Sequence, residues 1–217
     1  MGFGYIFVGY FFLIFFPLSR VDVLPNLSII GCVLMFMGIS RLMHYCDAKY
    51  GFKRAAVSLL ALCGVSAAAL AFDIAEMCGV IKNADPALNV AYAAASCLFL
   101  LLLLRGICKL SRDVGLPSLA KRTVWMMSIT VLYSIFEVVS CGCSVVLSLS
   151  EYPSDAFIAI TANMGLFTSL LAYLSIFLNL ALFFACYARI CLEGDEDMPY
   201  HEDIFDKLAK GKNRNKK

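Results

Sequence analysis

The chain has 217 residues, of which 61% are hydrophobic and 16% are charged, and its net charge is +2. Soluble domains contain about 45–50% apolar and about 25% charged residues, so this composition excludes an ordinary soluble domain. The longest uncharged runs exceed the roughly 20 residues that a helix needs to cross a bilayer core. The sequence therefore predicts an all-α integral membrane protein. Nothing beyond charge points to nucleic-acid binding.

Apolar runs recur six times within residues 1–192 and predict a six-transmembrane-helix bundle with short loops. The first run has no charged n-region and no A-x-A cleavage site, so we expect a retained span and not a cleaved signal peptide. Residues 193–217 are predicted to form a charged cytoplasmic tail. The predicted spans are residues 2–18, 23–40, 55–78, 86–104, 123–150 and 166–189.

The second predicted span carries Gly31 and Gly38, which are seven residues apart and therefore share one helical face. Small residues at this spacing allow the backbone of another helix to approach closely. We expect a tight helix–helix contact along this face.

The third predicted span ends with two carboxylates about one helical turn apart, Asp73 and Glu76. Two carboxylates at this position can form a mouth that attracts cations, or they can mark the point where the helix reaches water. The boundary is the simpler interpretation, but the pair stays a candidate for binding.

The fifth predicted span has a polar stripe along one helical face, with a single ionisable residue, Glu137, near mid-depth. Lipid cannot solvate such a face, so it must turn toward protein or water. The stripe consists of Thr130, Tyr133, Glu137, Ser140, Ser144 and Ser148.

Glu137 has two interpretations, which the sequence leaves open. It can be a carboxylate that binds a proton or a cation, with Tyr133 one turn away as its hydrogen-bond partner. It can also be a neutral carboxyl group that holds the bundle together, because an ionised carboxylate facing lipid costs at least a few kcal/mol.

The last apolar run, residues 156–188, has 33 residues without a charge, or about 50 Å as one helix. Because this exceeds a core of about 30 Å, we expect a break near residues 163–165. Asn179 lies deep in the following span, where it can contact Glu137 across an antiparallel helix pair. Alternatively, Asn179 serves only as a hydrogen-bonding contact between helices.

The basic residues predict the orientation of the chain. Sixteen of the 18 lysines and arginines follow the second, fourth or sixth span. The positive-inside rule then places both termini in the cytoplasm. The short loops favour a prokaryotic cell membrane.

Catalytic signatures were sought and not found: the sequence has no H-E-x-x-H, G-x-S-x-G or P-loop motif. His44 and His201 have no second histidine three or four residues away, so no metal site is predicted. We therefore expect neither an enzyme nor a bound cofactor.

Two functions fit these observations. The first is a small-solute or ion transporter, or its substrate-binding membrane subunit, with a site between spans three, five and six. The second is a non-catalytic assembly, regulatory or sensor subunit that docks a cytoplasmic partner through its tail. The expected partners are the lipid bilayer, other membrane subunits or a cytoplasmic protein. The candidate binding residues are Glu137, Tyr133, Asn179, Asp73 and Glu76.

Overall fold

The computed structural model describes residues 2–19, 28–46, 48–78, 86–149 and 154–190, in which all regular structure is helical. The prediction of an all-α protein is thereby confirmed for the described residues. A short 3₁₀ turn, Ala48–Tyr50, precedes the third helix. The α-helices are α1 Gly2–Ser19, α2 Ser28–Tyr45, α3 Phe52–Met77, α4 Pro86–Asp113, α5 Pro117–Leu149 and α6 Asp155–Arg189.

Four of these helices contain segments long and apolar enough to cross a membrane: Phe52–Phe72, Val90–Asp113, Pro117–Leu147 and Asp155–Arg189. Shorter apolar segments, Gly2–Leu13 and Ile29–His44, lie in α1 and α2. The helices α3 to α6 are therefore compatible with an integral membrane protein.

The six helices form a closed ring. Each helix packs against the next one along the chain, and α6 returns to pack against α1. The helices α1 and α6 are antiparallel, since Gly4 faces Tyr187 whereas Tyr10, farther along α1, packs on Phe183. Residue 2 and residue 189 consequently lie toward the same end of the ring, which we call the terminal end.

Glycines hold α1 and α2 in close contact, as the spacing of Gly31 and Gly38 predicts. A Cβ atom added at Gly31 would lie 2.5 Å from the backbone nitrogen of Leu13 and 2.7 Å from the carbonyl oxygen of Gly9. At Gly38, the carbonyl oxygen of Gly2 would lie 2.7 Å away. The predicted close approach is confirmed, and α1 contributes glycines of its own at both crossing points.

A compact turn joins α4 to α5. Gly115 has a φ of 77°, a left-handed conformation that glycine adopts without strain. Its N–H donates to the carbonyl of Arg112, and the N–H of Leu116 donates to that of Ser111, the two bonds of a Schellman motif. Pro117 then opens α5, where its missing N–H has no consequence.

The expected break in the last span does not occur, because α6 is one continuous helix of 35 residues. The hydroxyl groups of Thr168 and Ser169 donate to the carbonyls of Met164 and Gly165, next to the expected break. A continuous helix satisfies its own backbone groups, which a break inside lipid would not. A helix of about 52 Å must tilt or extend beyond the hydrocarbon core.

The ring is packed closely only toward its terminal end. Tyr10, Phe99 and Phe183 are among the largest fully buried side chains. Among the described side chains, none of α5 after Ser134 and none of α6 before Thr168 is buried. Among the described residues, α5 and α6 are therefore less closely packed toward the opposite end, which we call the more open end.

We predict that Gly31→Ala destabilises the protein, because the added methyl group would overlap backbone atoms of α1. Overpacking of this kind typically costs about 1–3 kcal/mol. Thermal unfolding of the purified protein in detergent measures the change. Gly64→Ala in α3 is the matched control, since an added Cβ there meets nothing within 4 Å. Equal melting temperatures for the two variants would contradict the proposed contact.

Candidate polar site in the bundle core

Asn179 is the centre of a buried polar cluster, and only 1% of it is exposed. Its Nδ2 lies 3.1 Å from Tyr10 Oη, 3.3 Å from Ser175 Oγ and 3.5 Å from Thr130 Oγ1, and donates toward these hydroxyl oxygens. We call these four residues the central polar cluster. It joins α1, α5 and α6.

The amide oxygen of Asn179 has no hydrogen-bond partner among the described residues. The unpaired position faces away from all three hydroxyl groups, and exchanging the amide oxygen and nitrogen would leave the nitrogen, a donor, unpaired there instead. A buried polar atom without a partner costs about 1–3 kcal/mol. The cluster therefore has an unused capacity for one more interaction.

The surroundings of the cluster are apolar. Tyr10 is 1% exposed, and its ring packs edge-on against Phe183 with 5.1 Å between ring centroids. Thr130 is fully buried and Ser175 is 3% exposed. Polar interactions are stronger in such an environment than in water.

Glu137 and Tyr133 form a second polar group beside this cluster. Tyr133 and Glu137 lie one turn apart on α5, close enough for their side chains to interact electrostatically. Tyr10 and Tyr92 both lie close enough to Tyr133 to interact with it electrostatically. The Tyr92 hydroxyl in turn donates to the carbonyl of Leu13, at 3.1 Å. Tyr10 thus belongs to the central polar cluster and also lies near the Glu137–Tyr133 pair.

The two polar groups occupy different depths in the ring. Asn179 pairs with Thr130, and Glu137 lies seven residues farther along α5, or about 10 Å. The rings of Phe136 and Phe167 pack with 5.1 Å between their centroids, so Glu137 lies beside the part of α6 that precedes Ala172. The structure thus brings Asn179 to Thr130 and not level with Glu137.

The other candidate residues are Asp73, Glu76 and the rest of the polar stripe of α5, and only some of their side chains are described. The side chains of Asp73 and Glu76 lie outside the described residues, as does that of Ser148. Ser144 is exposed and donates to the carbonyl of Ser140, within its own helix. The buried portion of the polar stripe is thus Thr130, with Tyr133 and Glu137 half-buried.

Sequence reasoning missed Tyr10 and Tyr92. Both are tyrosines inside apolar helices, where a phenol hydroxyl must find a partner within the protein. That requirement was a usable signal, but it does not say which helix supplies the partner. Among the described residues, no three His, Cys, Asp or Glu side chains come together as a metal site.

Comparison with known proteins found no similar protein. No protein-family model, curated protein or solved structure matches this chain. The function must therefore be argued from the site alone.

We predict that Asn179→Ala lowers the melting temperature, because three buried hydroxyl groups lose a shared donor. Hydrogen bonds between membrane helices contribute about 0.6 kcal/mol on average and up to about 1.7 kcal/mol. Asn163→Ala is the control, since Asn163 lies in the same helix but is exposed. If both variants melt alike, the cluster contributes nothing to the stability of the ring.

Proposed function

We propose that the protein is a six-span membrane protein that binds a small cation, a proton or a protonated solute in its core. It acts as a transporter or as the binding subunit of one. Glu137 provides the negative charge and Tyr133 orients the species bound there, while the central polar cluster around Asn179, about 10 Å away along α5, offers a second position for it. The single observation that carries this proposal is the unpaired amide oxygen of Asn179 inside a buried cluster of hydroxyl groups.

The chemistry of the core favours a positively charged or hydrogen-bond-donating ligand. The amide oxygen of Asn179 is an acceptor without a donor, and hydroxyl, carbonyl and carboxylate oxygens are the atoms that hard cations prefer. A carboxylate at this depth is expensive unless it is protonated or meets a positive charge. A cation or a proton at Glu137 would relieve the second condition, and a cation or a hydrogen-bond donor beside Asn179 would relieve the first.

Access to this site is supported by the unequal packing of the ring. Glu137 and Tyr133 lie where α5 changes from buried to exposed positions, beyond Thr130. A ligand entering from the more open end would meet the Glu137–Tyr133 pair first and the central polar cluster second. The closely packed terminal end would block direct passage in this conformation.

The proposed orientation places both termini in the cytoplasm and the more open end on the other side of a cell membrane. It is supported by the basic residues, which gather at the terminal end among the described residues and satisfy the positive-inside rule there. Those in helices or the 3₁₀ turn include Arg41, Lys49, Lys53, Arg105, Lys109, Lys121 and Arg189. The charged tail, residues 193–217, through which a partner protein was expected to dock, lies outside the described residues.

We predict that Glu137→Gln abolishes the response of the protein to cations and protons. Infrared difference spectra of the protein in membranes, recorded on adding Na⁺ or K⁺ or on changing pH, should show a carboxyl band that the variant lacks. Proteoliposomes prepared in parallel should lose any flux of the responding ion.

Asp155→Asn is the control for this experiment. Asp155 is an exposed carboxylate in the first turn of α6, so the band and the flux should persist in that variant. A Glu137 carboxyl band that responds to neither ions nor pH would reject the binding function and leave Glu137 as a packing residue.

A further inference from the structure

A groove of about 760 Å³ runs along the outside of the ring between α4 and α5. It lies on the outer surface of the ring and is distinct from the central polar cluster. Its size is within the range of about 300–1,000 Å³ that is common for ligand sites. It is lined by Leu101, Arg105, Cys108, Lys109, Arg112, Val124, Met127, Ser128, Val131, Leu132 and Ile135.

The groove is positively charged at the terminal end. Arg105, Lys109 and Arg112 follow one another at steps of four and three residues, so they share one face of α4. All three are exposed, and no carboxylate lines the groove. The nearest acid in the sequence, Asp113, forms an ion pair with Lys49 at 3.0 Å, and this interaction raises the pKa of Lys49.

The rest of the groove is apolar. From Val124 to Ile135 the wall of α5 extends about 16 Å away from the charged end. Val131, Leu132 and Ile135 are 39%, 48% and 56% exposed, so no other part of the described chain covers them. Trp125, 70% exposed beside the charged end, is the residue type that sits at the level of lipid headgroups.

We propose that this groove binds one anionic glycerophospholipid. Its phosphate lies among Arg105, Lys109 and Arg112, and one acyl chain lies along Val131, Leu132 and Ile135. Such a lipid is complementary to the groove in charge and polarity: its anionic headgroup matches the basic end and its hydrocarbon chain matches the apolar wall, at the depths where a bilayer places them. The inference is independent of the ligand proposed for the core.

The test compares binding of phosphatidylglycerol and phosphatidylcholine with identical acyl chains to the purified protein, measured by native mass spectrometry. The wild-type protein should retain phosphatidylglycerol preferentially. A triple variant, Arg105→Gln, Lys109→Gln and Arg112→Gln, should bind it at least about tenfold more weakly, since each basic residue near a headgroup contributes roughly fivefold. Binding of phosphatidylcholine should change little.

Two controls distinguish binding in the groove from attraction to surface charge elsewhere and from binding to apolar surface elsewhere. Lys53→Gln, Arg54→Gln and Lys121→Gln together remove three exposed charges outside the groove, and should preserve the preference. Val131→Trp should fill the groove and weaken binding, whereas Val139→Trp, at a residue of α5 that is 45% exposed but outside the groove, should not.

Three results would overturn the proposal. The first is equal retention of the two lipids by the wild-type protein. The second is an equal loss in the groove variant and the charge control, which would show only general attraction of anionic lipid. The third is displacement of phosphatidylglycerol by inorganic phosphate alone, which would show an anion site without a lipid-chain contribution. Circular dichroism of each variant verifies that the helices remain folded.

Discussion

Inside a bilayer, a polar side chain must find its partners within the protein, and this requirement governs the interior of the ring. The amide nitrogen of Asn179 meets it with three hydroxyl groups, which come from α1, α5 and α6 itself. Because Tyr10 comes from α1 and Thr130 from α5, the cluster fixes the contacts of α6 with both of its neighbours. The closure of the ring and the position of its polar core thus depend on the same side chain.

The glycines of α1 and α2 complement this polar contact. Without a hydrophobic driving force between helices in lipid, association depends on close packing. Gly9 with Gly31 and Gly2 with Gly38 let two backbones touch, which fixes α1 on one side. The other side of α1 can then present Tyr10 to α6. Close packing on one face of α1 and hydrogen bonding on another together determine its rotation.

The sequence was sufficient for the helical class and for the tight face of α2, because periodicity of small and apolar residues reports directly on helical faces. The sequence was not sufficient to predict at which depth polar residues of neighbouring helices meet. Glu137 falls on a polar stripe and Asn179 is a polar residue deep in the last span, but such patterns give a helical face and not a register between helices. The pairing of Asn179 with Thr130, seven residues from Glu137, depends on how α5 and α6 slide along each other. The contribution of Tyr10 depends on ring closure, a contact between the first and last helices.

Apolar runs predict spans and not the ends of helices, for a physical reason. The predicted fourth span stops at residue 104, where charges begin, whereas α4 continues to Asp113. A helix can leave the hydrocarbon core and remain a helix, because its backbone hydrogen bonds do not depend on the solvent. The charged extension of α4 supplies the basic residues of the lateral groove, and a prediction based on apolar runs leaves this extension out.

The charges and the polar core divide the molecule along the membrane normal. Basic residues gather at the terminal end, whereas Glu137 and the unpaired oxygen of Asn179 lie deeper, toward the open end. A cation approaching from the basic end would be repelled, and one approaching from the open end would meet oxygen atoms first. An anionic lipid would find the reverse, with attraction only at the basic end. The same distribution of charge therefore supports a cation in the core and an anionic lipid in the lateral groove, at sites that do not compete.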